Sequence, residues 1–134
     1  MKNAQLKKTM LANAEEIQRL KQQFNETVRL RSRSPEDRHQ LQQVCRDFYT
    51  HYDALAFPGG YGGAFERMAA GEPEAIEAAL VFLEVRPYFF RSGYMYKDLL
   101  RKTRHAAMSG SQARRYALIV EAYARYRAHR RQQD

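Results

Sequence analysis

Apolar residues recur along the chain in several separate blocks at helical spacing, and no stretch alternates at period two for long enough to predict a strand. In the first block Leu6, Met10, Asn13, Ile17, Leu20, Phe24 and Thr27 follow one another at steps of four and three. That spacing predicts one long amphipathic helix within residues 1–33, with Asn13 as a polar insertion in a heptad-like seam. Such a seam can pack along the rest of its own chain or pair with a second copy. Packing within the chain is the expectation, and homodimerisation through residues 6–28 is the alternative.

Arg29, Arg31 and Arg33 mark the first linker. Ser34-Pro35-Glu36-Asp37 then has the form of a helix start: a capping hydroxyl, a proline at the first turn, and acids facing the positive end of the helix dipole. The helix that follows places Leu41, Val44, Cys45, Phe48, Tyr52 and Leu55 inward and Arg38, Gln42, Arg46 and Asp53 outward, and it ends near Leu55. Four of the seven glycines lie in the next loop, at 59, 60, 62 and 63, with Tyr61 at its tip as a candidate contact. A phosphate-cradling loop needs a Gly-Lys-Ser/Thr end, and here Gly63 is followed by Ala64 and Phe65, so the loop is expected to be a connector. A short helix with Phe65, Met68 and Ala69 inward closes this segment at Gly71.

Residues 72–107 are the best-defined stretch. Pro73 suits the first turn of a helix, and Ile76, Ala79, Leu80 and Leu83 define its buried face. Pro87 ends it. An aromatic cluster follows, Tyr88, Phe89, Phe90, Tyr94 and Tyr96, across an elbow. Ser92 is the expected cap of the next helix, on which Tyr96, Leu99, Leu100 and Thr103 point inward. Lys97, Arg101, Arg104 and His105 occupy another face. After Ser109-Gly110-Ser111, a last helix from about Gln112 toward Arg130 carries Tyr116, Ile119, Val120 and Tyr123 on its inner side. The whole reads as a single all-α domain over 1–134, divided as 1–33, 34–71 and 72–134. It has five or six helices arranged as antiparallel hairpins, in a bundle or a short α-solenoid.

Composition changes this picture little. The chain has 134 residues, nine Tyr, seven Phe and no Trp, enough for one core. Its single cysteine, Cys45, allows no intrachain disulfide and no multi-thiol zinc site, and is expected on a buried helix face. No run reaches the length of a membrane span, and the N-terminus lacks a secretory apolar block, so a soluble, cytoplasmic protein is expected.

Charge is more informative. The formal net charge is +8, but residues 1–33 carry +5, residues 34–85 carry −6 and residues 86–134 carry +9. A basic half beside an acidic middle points either to an anionic partner or to complementary surfaces meeting inside the fold.

Catalytic signatures are absent. His39, His51, His105 and His129 show no zinc-site spacing, and neither Cys45 nor any serine stands in a nucleophile-elbow sequence. Asp47 and His51 share a helix face without further ligands. The expectation is a non-enzymatic protein with no cofactor and no metal. The leading expectation is a protein–protein interaction module, an adaptor, regulator or inhibitor, meeting a partner of acidic character through a Tyr- and Arg-rich surface. The alternative is sequence-nonspecific nucleic-acid binding by the basic C-terminal half, and a weaker one is contact with an anionic membrane surface. The candidate binding residues are Arg91, Tyr94, Tyr96, Lys97, Arg101, Arg104, Arg114, Arg115 and Arg125.

Overall fold

A computed structural model describes residues 2–30 and 34–133. Among these residues the chain forms six helices and no strand: α1 (Lys2–Leu30), α2 (Pro35–Ala56), α3 (Ala64–Ala69), α4 (Pro73–Val85), α5 (Ser92–Thr103) and α6 (Gly110–Gln133). Of the expected first linker, Arg29 lies instead in the last turn of α1, and Arg31 and Arg33 lie outside the described residues.

The helix starts follow local chemistry. Ser34 Oγ accepts from the Asp37 N–H at 3.1 Å, and Pro35 opens α2. At the start of α6, Ser109 Oγ accepts from the Gln112 N–H at 3.1 Å while Gln112 Oε1 accepts from the Ser109 N–H at 3.0 Å, a reciprocal cap. Ser92 departs from expectation. It is buried, lies inside the first turn of α5, and its Oγ accepts from the Phe89 N–H at 3.1 Å, so it ties back the elbow rather than capping the helix.

Helix α4 is the hub. It packs against α1, α3, α5 and α6, while α1 pairs with α2. This is the bundle form of the expected architecture rather than a stack of successive hairpins. The reason lies in the sequence of α4. Ala75, Ile76 and all of Ala78–Leu83 are buried, so the helix is apolar on nearly every side instead of along one stripe. Each fully buried side chain such as Ile76, Leu80 or Leu83 contributes about 2 kcal/mol of burial free energy. The α1 seam is consumed in the same way. Met10, Ala14 and Ile17 join the core with Leu6 against its edge, and Phe24 stacks on Phe48 of α2 at 4.9 Å. Met10, Ala14 and Ile17 therefore bury their part of the seam inside the chain, as expected for intrachain packing.

The glycine-rich loop is a clasp. Asp53, expected to face outward, accepts from the Gly62 N–H at 2.7 Å, and Arg67 of α3 donates to the carbonyls of Pro58, Gly60 and Gly62. Gly60 has φ +90°, and a Cβ there would lie 2.9 Å from Asp53 Oδ2. Tyr61 is no exposed tip. Its ring packs between Phe57 and Phe65, and its hydroxyl is buried with no hydrogen-bond partner. Burial, then the nearby Asp98 carboxylate, pushes its phenol up to about 12. Cys45 is half-buried and free.

Candidate anion-binding groove

The elbow between α4 and α5 positions the site. Helix α4 ends at Arg86, which adopts left-handed backbone (φ 52°) and donates its N–H to the Phe82 carbonyl at 2.8 Å. Arg91, just before α5, is also left-handed (φ 66°). These are the two non-glycine residues with positive φ among the described residues, a conformation costing each about 1 kcal/mol or more. Between them the elbow turns Phe89 into the core and Tyr88 out to solvent. Tyr52 of α2 holds the turn by donating to the Phe90 carbonyl at 2.8 Å. Gln18 of α1 holds it from the other side, donating to the Tyr88 carbonyl at 2.6 Å.

Cations are then seated on rings. The Arg86 guanidinium lies 4.7 Å from the ring centres of both Tyr96 and Tyr126. Tyr123 packs on Tyr96 at 5.4 Å and stacks with Tyr126 at 6.3 Å, joining α5 to α6. The Lys21 ammonium sits 4.1 Å from Phe90, 4.9 Å from Phe24 and 5.7 Å from Phe48, an aromatic cradle made by α1, α2 and the elbow. Arg91 lies 5.1 Å over the outer Phe90 ring. Each such contact is worth about 0.5–2 kcal/mol, and it holds a cation in place without neutralising it. Burial pushes the Tyr96 phenol above its ordinary range, with Arg86 opposing, so the ring remains neutral under its cation at ordinary pH.

Two adjoining cavities open on this surface. The larger, about 1080 Å³, runs from Gln18, Lys21 and Asn25 of α1 across Arg86, Tyr88, Arg91, Tyr94 and Lys97 to Tyr126, Arg127 and Arg130 of α6. The smaller, about 720 Å³, lies between α5 and α6, with Arg101, Arg104, His105, Tyr116 and Val120 on its walls. Lys97, Tyr123 and Arg127 line both, so the two cavities adjoin at these side chains and together make up the groove surface. Eight cations line it: Lys21, Arg86, Arg91, Lys97, Arg101, Arg104, Arg127 and Arg130. No Asp or Glu does so among the described residues. Carboxylates nearby are engaged elsewhere. Asp98 accepts from Arg101 at 3.3 Å, Glu121 from Arg125 at 3.0 Å, and Glu77 and Glu84 from Arg115.

The sequence candidates divide accordingly. Arg91, Tyr94, Tyr96, Lys97, Arg101 and Arg104 come together on the groove, with Tyr96 buried in its floor. Arg114, Arg115 and Arg125 do not line it. Arg115 forks onto Glu77 (Nη1–Oε2 2.8 Å) and Glu84 (Nη2–Oε1 2.6 Å, Nε–Oε2 3.1 Å) and fastens α6 to α4. Arg125 pairs within its own helix. Sequence reasoning missed Lys21, Arg86, Tyr88 and the Tyr126, Arg127, Arg130 set. The last three follow Tyr123 at i+3, i+4 and i+7, one helical face, and that spacing could have found them. Lys21 and Arg86 reach the groove only through tertiary packing.

Among the described residues no group of three or more His, Cys, Asp or Glu could hold a metal ion, and no helix is long and apolar enough to cross a membrane. Comparison of the chain with family models, with curated proteins and with solved structures gives no match, so its chemistry is read from this groove alone.

Proposed function

We propose that this protein is a non-enzymatic binding module whose groove receives an extended anionic partner. One observation carries the reading: eight cations and several tyrosines line two adjoining cavities that are lined by no carboxylate among the described residues. Like charges gathered without counter-charge repel one another, and a polyanion is the ligand that relieves this. The tyrosines add flat, low-entropy contact area of the kind concentrated in binding hot spots. Four of the cations are already seated on aromatic rings, so ordering them on binding costs little. An adaptor or regulator meeting an acidic protein segment and a nucleic-acid-binding protein both fall within this reading.

The test is charge removal inside and outside the groove. Lys97 and Arg127 line both cavities, whereas Arg114 is an exposed cation on α6 that lines neither. Titration against labelled polyglutamate and labelled oligonucleotide should show Lys97→Gln/Arg127→Gln weakening the better ligand by about tenfold or more at low salt, with Arg114→Gln/Arg131→Gln, which removes the same two charges from exposed α6 positions outside both cavities, close to wild type. Equal losses in both variants would mean that net charge, not the groove, governs binding.

A further inference from the structure

The geometry points to single-stranded nucleic acid as the groove's ligand, an inference that rests on the anionic-partner reading and narrows it. The observation beyond charge is the placement of two tyrosines. Tyr88 is 80% exposed and Tyr94 is 73% exposed, the two most exposed aromatic side chains among the described residues, and both line the larger cavity. A cation from the elbow, Arg91, and one from α5, Lys97, line the same cavity beside them.

Tyr88 is presented rather than merely left over. Its flanking residues divide the work of the turn: Pro87 and Phe89 are buried while the Tyr88 ring faces water. Its carbonyl is gripped by Gln18 of α1 at 2.6 Å, so the backbone beneath the exposed ring is anchored to a second helix. Arg86 and Arg91, the two non-glycine residues with positive φ among the described residues, bracket it and line the groove. Strain of this kind persists where surrounding structure imposes it, and it concentrates at functional sites.

An acidic peptide would satisfy the cations and leave the Tyr88 and Tyr94 rings without a flat partner. A nucleobase supplies that partner, and a phosphodiester backbone supplies one negative charge per nucleotide to the cations that line the same cavity. Stacking platforms beside a basic groove are how proteins hold single strands without reading sequence. A duplex keeps its bases stacked internally and offers the rings nothing, so single strands are favoured over duplex. Ribose and deoxyribose strands share this chemistry.

The experiment is fluorescence anisotropy with the full chain and four labelled probes: an oligo(dT) and an oligo(rU) of about 12 nucleotides, within the usual reach of such grooves, a DNA duplex of the same length, and polyglutamate. Single strands should bind at least about tenfold more tightly than duplex or polyglutamate at near-physiological salt. Tyr88→Ala/Tyr94→Ala should weaken single-strand binding by about 10- to 100-fold and leave the salt slope unchanged, because stacking carries no counterion release. Lys97→Gln/Arg127→Gln should flatten the log–log salt slope by about 1.4, two contacts at roughly 0.7 each. A preference between oligo(dT) and oligo(rU) supports the inference either way and identifies the strand.

Polyglutamate or duplex binding as tightly as single strands, or tyrosine variants with wild-type affinity, would overturn this inference and leave the anionic-partner reading standing. No binding to any of the four probes would overturn both.

Discussion

Arg115 of α6 grips two carboxylates of α4 at once, Glu77 and Glu84, one from each side of its guanidinium fork. The three side chains are 23%, 29% and 25% exposed, so the network lies between a surface pair and a buried one. Replacing Arg115 by Met would leave two carboxylates half-buried without their cation. Urea unfolding is expected to show a loss of about 1–3 kcal/mol. Adding Glu77→Gln and Glu84→Gln to that variant should recover part of the loss, since the uncompensated charges rather than the missing bond would dominate it.

Arg86 sets helix capping against cation–π contact. Its left-handed backbone favours glycine, while its guanidinium is held over Tyr96 and Tyr126. Arg86→Gly should release about 1 kcal/mol of backbone strain and forfeit about 1 kcal/mol of ring contact, leaving global stability nearly unchanged. Arg86→Ala keeps the strain and loses the contact, so it should be the less stable of the two. In both variants amide exchange should rise in α6 from Tyr126 onward, because that contact docks this part of the helix to the body.

The Tyr61 hydroxyl is buried without a partner. Tyr61→Phe removes an unsatisfied polar group and should hold or raise the unfolding free energy at neutral pH by up to about 1 kcal/mol. Its effect on the pH profile follows from its raised phenol, at about 12 against an ordinary 10. A raised folded-state value means that the stability is intact below pH 10 and is lost as pH climbs toward 12. Chemical denaturation between these limits should fall less steeply for Tyr61→Phe than for wild type. Tyr52, Tyr96 and Tyr116, whose phenols burial also raises, will keep part of the slope in both proteins.

Gly60→Ala should destabilise the clasp. The backbone at φ +90° disfavours any side chain, and the new methyl would meet Asp53 Oδ2 at 2.9 Å. A loss of about 1–2 kcal/mol is expected in thermal or urea unfolding. If the variant unfolds like wild type, the loop is more adaptable than its hydrogen bonds indicate.

Ile17 is fully buried on the α1 seam. Ile17→Ala should cost about 2–4 kcal/mol. Because the seam packs inside one chain, the unfolding midpoint should not move with protein concentration. A midpoint that rises with concentration would mean the helix pairs between copies.

Much of this fold was legible in the sequence because its helix boundaries are chemical. Ser34 with Pro35, Pro73 and Gly71 each mark an end by satisfying or omitting a backbone donor, and those rules act over a few residues. The role of α4 was only half legible. Periodicity picked out Ile76, Ala79, Leu80 and Leu83, but the intervening Ala78, Val81 and Phe82 are buried too, and a helix surrounded on several sides has no stripe to find. The groove was legible where its residues share one helix, as Lys97, Arg101 and Arg104 do. Arg115 was indistinguishable from Arg114 in sequence, because what separates them is a pair of carboxylates 31 and 38 residues away. Lys21 reaches the elbow only because α1 lies across α4, a relation that no local pattern encodes.

The missing counter-charge in the groove also bears on how the molecule responds to its surroundings. Eight like charges held on one face oppose the compact state. Anything that condenses on that face will favour the folded chain over the unfolded one, in proportion to how much more tightly it is held there. Sulfate or phosphate at modest concentration should therefore raise the melting temperature more than chloride of equal ionic strength, and an oligonucleotide should raise it more than either. Under the anionic-ligand proposal the groove makes the fold itself a reporter of occupancy, readable by heat alone.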